Sequence, residues 1–250
     1  MNHNLTCAVC GGESSLFDVV DLNKSCLGAD QQLQLSGIPV YYARCNGCGF
    51  CFAPELMAWS IEEFEQKIYN DDYVLVDPDY VDARPRNNAA TLIAVFGDLA
   101  HGLKHLDYGG GGGLLSELLN AAGWQSQTYD PFVHRNTQLE SLGKFDLITS
   151  YEVFEHVPDV QALMANLRLL LAENGLILFS TLISDGNIKP HERINWWYAS
   201  PRNGHISLFS QVSLNVLAQK SGFRFGSFSE GFHTFFTEVP PWASHIIRVE

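Results

Sequence analysis

Apolar positions recur with two different periods along the second half of the chain. Short apolar or alternating runs predict strands, and apolar residues three or four positions apart predict helices. The predicted strands cover 105–108, 127–130, 145–150, 176–181, 223–225 and 233–237, and the predicted helices cover 88–100, 114–122, 159–171 and 210–221. Strands that alternate with helices in this way are typical of an α/β protein whose parallel sheet is covered by helices.

The first half of the chain has a weaker pattern. Residues 16–42 contain short alternating runs that suit small strands, and Ser60 and Glu63 form a capping box that opens a short helix. The segment 69–80 is acidic and rich in aromatic rings, which fits either a lid over a ligand or surface turns anchored by tyrosines. The predicted parts of the chain are an N-terminal module at 1–55, a connecting segment at 56–100 and a main domain at 101–250.

Composition and charge narrow the class of function. The chain has 250 residues, 46% of them hydrophobic, which is enough for one full α/β core with a small accessory module. The 28 acidic residues outnumber the 15 basic ones and give a formal charge of -13, so nucleic acid is not an expected partner. Residues 1–5 lack the features of a signal peptide and no run of eighteen apolar residues occurs, so we expect a cytoplasmic protein without a membrane span.

Four of the six cysteines fall into two Cys-x-x-Cys pairs, Cys7 with Cys10 and Cys45 with Cys48. In a reducing cytosol, clustered cysteines are more often metal ligands than disulfides. Glycines flank both pairs and allow the tight turns through which four thiolates converge on one ion. We therefore predict a closed, structural Zn2+ site, with iron, or reduced thiol turns without metal, as the alternatives. Cys26 and Cys51 are predicted to be spare thiols.

Five consecutive glycines, Gly109–Gly113, separate a predicted strand from a predicted helix. Glycine lets a backbone turn sharply and approach a nucleotide closely, and the start of the helix offers free N–H groups. The dinucleotide fingerprint Gly-x-Gly-x-x-Gly fails because Leu114 or Leu115 occupies its last position, which makes a nicotinamide-dependent oxidoreductase the weaker interpretation. The pattern that is present is Asp-x-Gly-x-Gly-x-Gly, with Asp107 near the end of the strand.

This pattern resembles motif I of the class I S-adenosylmethionine (SAM)-dependent methyltransferases. The resemblance implies that the Asp107 carboxylate lies near the methionine part of the cofactor. A second carboxylate, Asp130, ends the next predicted strand, where an acid commonly binds two ribose hydroxyls of a nucleoside. By resemblance, Asp130 is the ribose ligand and Pro131 shapes the adenine pocket.

The sequence after strand 145–150 carries a further resemblance. Residues 152–159, Glu-Val-Phe-Glu-His-Val-Pro-Asp, resemble the segment after the fourth strand of small-molecule methyltransferases. The order of elements over 88–237 also resembles that family, which implies a Rossmann-like sheet of seven strands. Only 14 residues separate Asp130 from Phe145, so the third strand is expected to be abbreviated. The cofactor-binding residues that the resemblance implies are Asp107, Tyr108, Gly109, Gly111, Gly113, Asp130, Pro131, Tyr151 and Glu152.

Methyl transfer requires an acceptor aligned with the S–CH3 bond and, for a weak acceptor, a base that removes its proton. His156 follows the fourth predicted strand, and His205 lies in a long insert, 184–208, that is rich in aromatic and polar residues. Long loops of this composition commonly bind ligands. We predict that His156, His205 and Tyr198 are catalytic; the alternatives are that His156 orients Glu152 and that His205 stabilises its loop.

The paired cysteines, motif I and the stretch Tyr198-x-x-Pro-x-x-Gly-His205 together resemble the C-methyltransferases that act on nucleotide-linked deoxysugars. That resemblance implies a histidine or tyrosine base near the acceptor, with the zinc module beside the substrate. The large C-terminal domain of those enzymes is expected to be missing after Glu250. We therefore expect a small-molecule acceptor, with a sugar as one candidate. The alternative is a non-catalytic, partner-binding protein in which a methyltransferase-like core supports a zinc-ribbon interaction module.

Overall fold

A computed structural model describes residues 5–28 and 30–248. Residues 1–4, on which part of the signal-peptide interpretation depends, lie outside the described residues. The strands are β1 Leu5–Thr6, β2 Glu13–Asp21, β3 Pro39–Cys45, β4 Cys51–Phe52, β5 Lys104–Tyr108, β6 Gln125–Tyr129, β7 Phe145–Tyr151, β8 Leu171–Ser180, β9 Ser207–Leu208, β10 Arg224–Ser227 and β11 Phe232–Phe236. The α-helices are α1 Pro54–Met57, α2 Ile61–Lys67, α3 Tyr73–Val76, α4 Ala83–Phe96, α5 Leu114–Ala121, α6 Val160–Leu170 and α7 Gln211–Lys220.

The chain forms two compact units, each assembled from separate segments. The first unit consists of Met1–Pro78, Phe154–Leu163 and Thr181–Leu217, and the second consists of Asp79–Val153, Met164–Ser180 and Ala218–Glu250. The insert 184–208 therefore belongs to the same unit as the paired cysteines.

The first unit contains an antiparallel sheet in the order β1-β2-β3-β4-β9. Strands β2 and β3 form a long hairpin that pairs Asp21 with Pro39 at one end and Ser14 with Cys45 at the other. This hairpin confirms the small strands predicted within 16–42. Strand β4 extends the sheet by pairing with β9, which lies at the end of the insert. The insert thus supplies a strand to the sheet that carries the second cysteine pair.

The second unit contains a mixed sheet in the order β10-β11-β8-β7-β5-β6. Strands β6, β5, β7 and β8 run parallel, and β11 pairs antiparallel with both β8 and β10. In the described residues this sheet has six strands, not the seven expected. The 14 residues between Asp130 and Phe145 are too few for a strand and a crossover helix, and they contain only the 3-10 turn Leu139–Leu142.

The core of the second unit follows from the apolar runs that predicted its strands. Strands β7 and β8 carry consecutive buried residues because a parallel strand is covered on both faces. Helices α4 and α5 contribute apolar faces to the same cluster. Its buried side chains include Leu92, Phe96, Leu115, Leu119, Trp124, Leu147, Leu176 and Leu178.

The connecting segment is helical rather than extended. Ser60 and Glu63 form the predicted capping box at the start of α2, and Phe64 is buried on that helix. The acidic, aromatic segment 69–80 folds as the short helix α3 and a 3-10 turn; its Tyr73 is buried, whereas Tyr80 is exposed. None of the helices within residues 5–28 and 30–248 has the length and hydropathy that a transmembrane span needs.

Candidate functional site

The two Cys-x-x-Cys pairs come together in the first unit. The sulfur of Cys7 lies 3.6 Å from that of Cys48, and the sulfur of Cys10 lies 3.4 Å from that of Cys45. All four sulfurs lie within 4.8 Å of one another. Four sulfurs placed tetrahedrally around one zinc ion, each at the usual bond length, are about 3.8 Å apart. The observed spacing therefore fits a four-thiolate centre.

Backbone N–H groups in the cysteine turns point at these sulfurs. The N–H of Cys10 donates to Cys7 Sγ at 3.4 Å, and that of Gly12 donates to Cys10 Sγ at 3.3 Å. The N–H of Cys48 donates to Cys45 Sγ at 3.4 Å. Donors of this kind favour the thiolate form of cysteine, which is the form that binds a metal.

Close sulfur atoms also perturb one another's protonation. The hydrogen bond with Cys48 lowers the pKa of Cys7 to about 5, and the same contact raises the pKa of Cys48. One deprotonated sulfur therefore opposes the deprotonation of its neighbour, and a bound dication supplies the positive charge that several thiolates require. Within the described residues, the cysteine group that fits a metal includes neither Cys26 nor Cys51.

The acidic residues predicted to bind the cofactor lie at the carboxyl ends of parallel strands in the second unit. Asp107 lies near the end of β5, Asp130 follows β6 and Glu152 follows β7. The carboxyl ends of parallel strands meet at one edge of the sheet, which is where open α/β sheets bind ligands. The structure therefore places these three residues at the same edge.

Asp107 is nearly inaccessible, at 4% exposure, and accepts a hydrogen bond from Thr149 Oγ1 at 3.0 Å. Burial, with a smaller contribution from the charge of Asp130, raises the pKa of Asp107 to about 7, whereas the bond from Thr149 lowers it. The backbone of Gly110 passes so close that a Cβ there would lie 2.1 Å from Asp107 Oδ2. The first turn of the glycine loop therefore accommodates no side chain at Gly110.

Asp130 holds the glycine loop in place. Its Oδ2 accepts the N–H of Gly111 at 3.0 Å, and its Oδ1 accepts the N–H of Phe132 at 2.8 Å. Gly109 and Gly113 have φ values of 81° and 86°, a region that favours glycine. The loop that faces the predicted nucleoside site is thus fixed by the side chain predicted to bind the ribose.

Two tyrosines of the predicted cofactor set make contacts within the second unit. Tyr108 is buried, and its hydroxyl accepts a hydrogen bond from Asn166 Nδ2 at 3.1 Å. The ring of Tyr151 stacks on Phe232 with 5.9 Å between centroids. These contacts fix the positions of both rings.

Glu152 has a φ of 53°, which is unusual for a residue other than glycine. Its N–H donates to Ser180 Oγ at 2.8 Å, and the Ser180 hydroxyl donates to Glu152 Oε1 at 2.7 Å. Residues held in such conformations cluster at functional sites, because surrounding contacts must offset the strain. The unusual backbone conformation of Glu152, directly after β7, therefore marks it as a candidate functional residue.

The three predicted catalytic residues lie together in the first unit. The Tyr198 hydroxyl donates to Glu155 Oε1 at 2.6 Å, and His205 Nδ1 lies 2.7 Å from the carbonyl oxygen of Tyr198. The rings of His156 and His205 are 4.9 Å apart. Because a carbonyl only accepts hydrogen bonds, Nδ1 of His205 carries a proton, and Nε2 is the basic nitrogen of the neutral ring.

Two members of this cluster were not among the predicted site residues. Glu155 is fully buried, with an oxygen 3.9 Å from His156 Nε2, and the Tyr69 hydroxyl lies 3.1 Å from His156 Nδ1. Glu155 precedes His156 in the sequence, so the Glu-His pair itself was a usable signal. Tyr69 lies in the aromatic segment 69–80 that fits a lid over a ligand, but only the tertiary fold brings its hydroxyl to the histidine.

Residues 80–226 match the model of a family described as a methyltransferase domain, and this range is more than half of the chain. The chain therefore belongs to the methyltransferase domain family. Class I methyltransferases, to which this domain belongs, use SAM as the methyl donor. The expectation of a Rossmann-like α/β methyltransferase fold is confirmed.

Curated relatives also carry methyltransferase names, and a solved structure shares the fold. The ubiquinone biosynthesis O-methyltransferase of Histophilus somni (strain 2336) is 33% identical over 107 residues, which are 32% of this chain and 44% of that protein. The same enzyme of Paramagnetospirillum magneticum (strain ATCC 700264 / AMB-1) is 35% identical over 102 residues, 32% of this chain and 41% of that protein. The chain thus spans less than half the length of these two relatives. An O-methyltransferase family protein from Burkholderia thailandensis matches with a TM-score of 0.50 and 14% identity, over 71% of this chain and 63% of that chain, which shows the fold.

Proposed function

We propose that the chain is an enzyme that transfers the methyl group of SAM to a small-molecule acceptor. The observation that carries the proposal is the glycine loop 109–113, fixed between the carboxylates of Asp107 and Asp130 at the carboxyl edge of a parallel sheet. When bound there, SAM supplies a methyl group on a positively charged sulfur. Membership in the methyltransferase family supports the same assignment.

Different residues around the glycine loop would bind different parts of the cofactor. Asp107, in its ionised form, would hold the ammonium group of the methionine part, and Asp130 would bind the ribose hydroxyls. The remaining members of the cofactor-binding set would line the pocket around them: Tyr108, Gly109, Gly111, Gly113, Pro131, Tyr151 and Glu152. The glycine N–H groups and the start of α5 contribute backbone donors.

The cluster around His205 would bind and deprotonate the acceptor. His205 has its proton on Nδ1, so Nε2 takes the acceptor's proton. The buried Glu155 carboxylate stabilises the positive charge that a proton brings to the imidazoles of His156 and His205, because ligand atoms of all three residues lie within 4.8 Å of one another. Tyr198 orients both Glu155 and His205.

The acceptor is proposed to be a small ring-bearing molecule with a hydroxyl group. The insert that carries Tyr198 and His205 also carries Trp196, which is buried, and Trp197, which is 52% exposed. An exposed indole face binds sugar or aromatic rings by apolar contact. The relatives named as ubiquinone biosynthesis O-methyltransferases support oxygen as the methylated atom. Sugars and phenols are therefore the two acceptor classes to compare.

We also propose that Cys7, Cys10, Cys45 and Cys48 hold a structural zinc ion. Four protein ligands complete the tetrahedral coordination of zinc and leave no position for water or acceptor. The centre would therefore stabilise the first unit and take no part in the transfer.

Calorimetric titration with S-adenosylhomocysteine (SAH), with NADH in parallel, tests the cofactor before any acceptor is identified. We expect SAH to bind with a micromolar dissociation constant and NADH not to bind, because the third glycine of the dinucleotide fingerprint is absent. Binding of NADH alone would contradict the proposal. Binding of SAH without turnover of any sugar or phenol would favour the non-catalytic alternative.

Replacing His205 with alanine is expected to lower kcat by about 10²–10⁴-fold, the usual contribution of a general base. SAH affinity should stay unchanged, because His205 belongs to the acceptor cluster. The measurement is SAH release from SAM with the acceptor that gives turnover. His191→Ala is the matched control, since His191 is an exposed histidine of the same insert. Equal rates for the two variants would exclude His205 as the base.

A further inference from the structure

A continuous chain of hydrogen-bonding side chains runs beneath the glycine loop, entirely within the second unit. From Asp107 it passes to Thr149 at 3.0 Å, and from Thr149 to His105 Nε2 at 3.0 Å. From His105 Nδ1 it passes to Ser126 at 2.7 Å, and from Ser126 to Ser116 at 2.8 Å. The chain therefore connects the carboxylate near the end of β5 with α5, the helix that follows the loop.

His105 is an unusual residue for its position. It lies in β5, between β6 and β7, and is fully buried. Burial lowers its pKa to about 3, so the ring is neutral at ordinary pH. The strand register places Ser126 directly opposite His105, and Asp107 opposite Thr149. Each ring nitrogen consequently meets a hydroxyl, which can either donate or accept a hydrogen bond.

The protonation of Asp107 decides which way these bonds point. An ionised carboxylate only accepts, so Thr149 donates to Asp107 and His105 Nε2–H donates to Thr149. Ser126 then donates to His105 Nδ1, and its oxygen accepts the hydroxyl hydrogen of Ser116. A protonated carboxyl group can donate to Thr149 instead. Thr149 then donates to Nε2, the ring proton moves to Nδ1, and Ser126 donates to Ser116. Both arrangements leave every member of the chain bonded.

We infer that His105 is a positioning residue whose two tautomers follow the protonation state of Asp107. The chain of hydrogen bonds from Asp107 to Ser116, here called the relay, thereby sets the pH range in which the cofactor binds. The inference rests on the proposed cofactor site. Because an ionised acceptor strengthens a chain of hydrogen bonds, the Nε2–H arrangement stabilises the Asp107 carboxylate. The relay thereby favours the form of Asp107 that can hold a cationic group.

The sign of the pH effect follows from the groups around Asp107. Burial and the charge of Asp130 favour the protonated form, and the Thr149 hydroxyl favours the ionised form. Tyr151, a further titratable neighbour, is neutral because its burial raises its pKa. Affinity for SAH should therefore rise as the pH increases through about 7 and level off above it, since only ionised Asp107 holds the ammonium group.

The test measures SAH affinity between pH 6 and 8 for the wild type, His105→Leu and Thr149→Val. Without the relay, the midpoint of the rise in SAH affinity with pH should move up by about one pH unit. Both variants should therefore bind SAH about tenfold more weakly than the wild type at pH 6 and within about threefold of it at pH 8. The double variant should add nothing to Thr149→Val, because His105 acts through Thr149. His233→Leu is the control: His233 is equally buried in the same sheet, with Ser227 as its partner.

Two outcomes separate the relay from the cofactor site. If the wild type binds no SAH at any pH, the proposed function and the relay both fail. If the wild type binds SAH but His105→Leu keeps the wild-type pH dependence, the relay alone fails.

Nitrogen-15 NMR of the histidine rings in the cofactor-free wild type gives a readout that does not depend on any variant folding. We expect His105 to change from the Nδ1–H to the Nε2–H tautomer as the pH rises through about 7, the pKa of Asp107. A single tautomer across that range would overturn the inference.

Discussion

Replacing Cys45 with serine is expected to empty the four-cysteine centre and to unfold the first unit. The change removes one of four converging thiolates, and a hydroxyl is a poor zinc ligand at neutral pH. Binding of a structural zinc contributes about 10–16 kcal/mol in small zinc domains, which is comparable to the whole stability of an ordinary domain. Metal content measured by elemental mass spectrometry should fall from about one equivalent per chain to below about 0.2.

Cys51→Ala is the matched control for that experiment. Cys51 is as buried as Cys45 and lies in the neighbouring strand β4, but it is outside the group of four sulfurs. The control protein should keep its metal and lose only the packing of one small side chain. Full metal content in Cys45→Ser, or absence of metal from the unchanged protein, would contradict the four-thiolate centre.

Replacing Gly110 with alanine is expected to weaken SAH binding by about 30–150-fold, which corresponds to about 2–3 kcal/mol of overpacking. The added Cβ would lie 2.1 Å from Asp107 Oδ2 and 2.9 Å from Thr128 Cγ2, so the Asp107 carboxylate has to move. A displaced carboxylate no longer lies where the cofactor's ammonium group would be bound. Calorimetric titration with SAH at pH 8 measures the loss.

The same loop offers its own control in Gly112→Ala. A Cβ on Gly112 meets no atom within 4 Å, and its φ lies outside the left-handed region. The affinity of the Gly112→Ala variant for SAH should stay within about threefold of the wild type, because an alanine at this position overlaps no other atom. Equal losses in the two variants would mean that general loop flexibility, not the position of Asp107, determines binding.

Elements with strong local signals could be predicted from the sequence. The glycine run and the periodic apolar residues around it predicted the loop and α5, since their conformations depend on nearby residues. The capping box at Ser60 was equally local. The two cysteine pairs could be assigned to one centre because few other arrangements of reduced thiols explain that spacing.

Features that depend on distant contacts could not be predicted in this way. The polar His105 is explained only by the register that places it against Ser126 and within reach of Thr149. The contact of Glu155 with Tyr198 forms only because the insert 184–208 folds back onto the segment that contains Glu155. Among the described residues, the mixed sheet has six strands, one fewer than the resemblance implied. The segment between Asp130 and Phe145 forms a 3-10 turn and no third strand.

The pairing of β4 with β9 has a consequence for how the protein is synthesised. Cys51 pairs with Leu208, and the Phe50 ring packs 5.0 Å from that of Phe209. A ribosome releases the N-terminal segment first, so the cysteine turns can bind an ion long before their sheet has its last strand. Until Leu208 emerges, β4 presents an unpaired edge and an uncovered aromatic face. A fragment ending at residue 55 would retain that exposed edge permanently, and we expect it to aggregate even when loaded with metal.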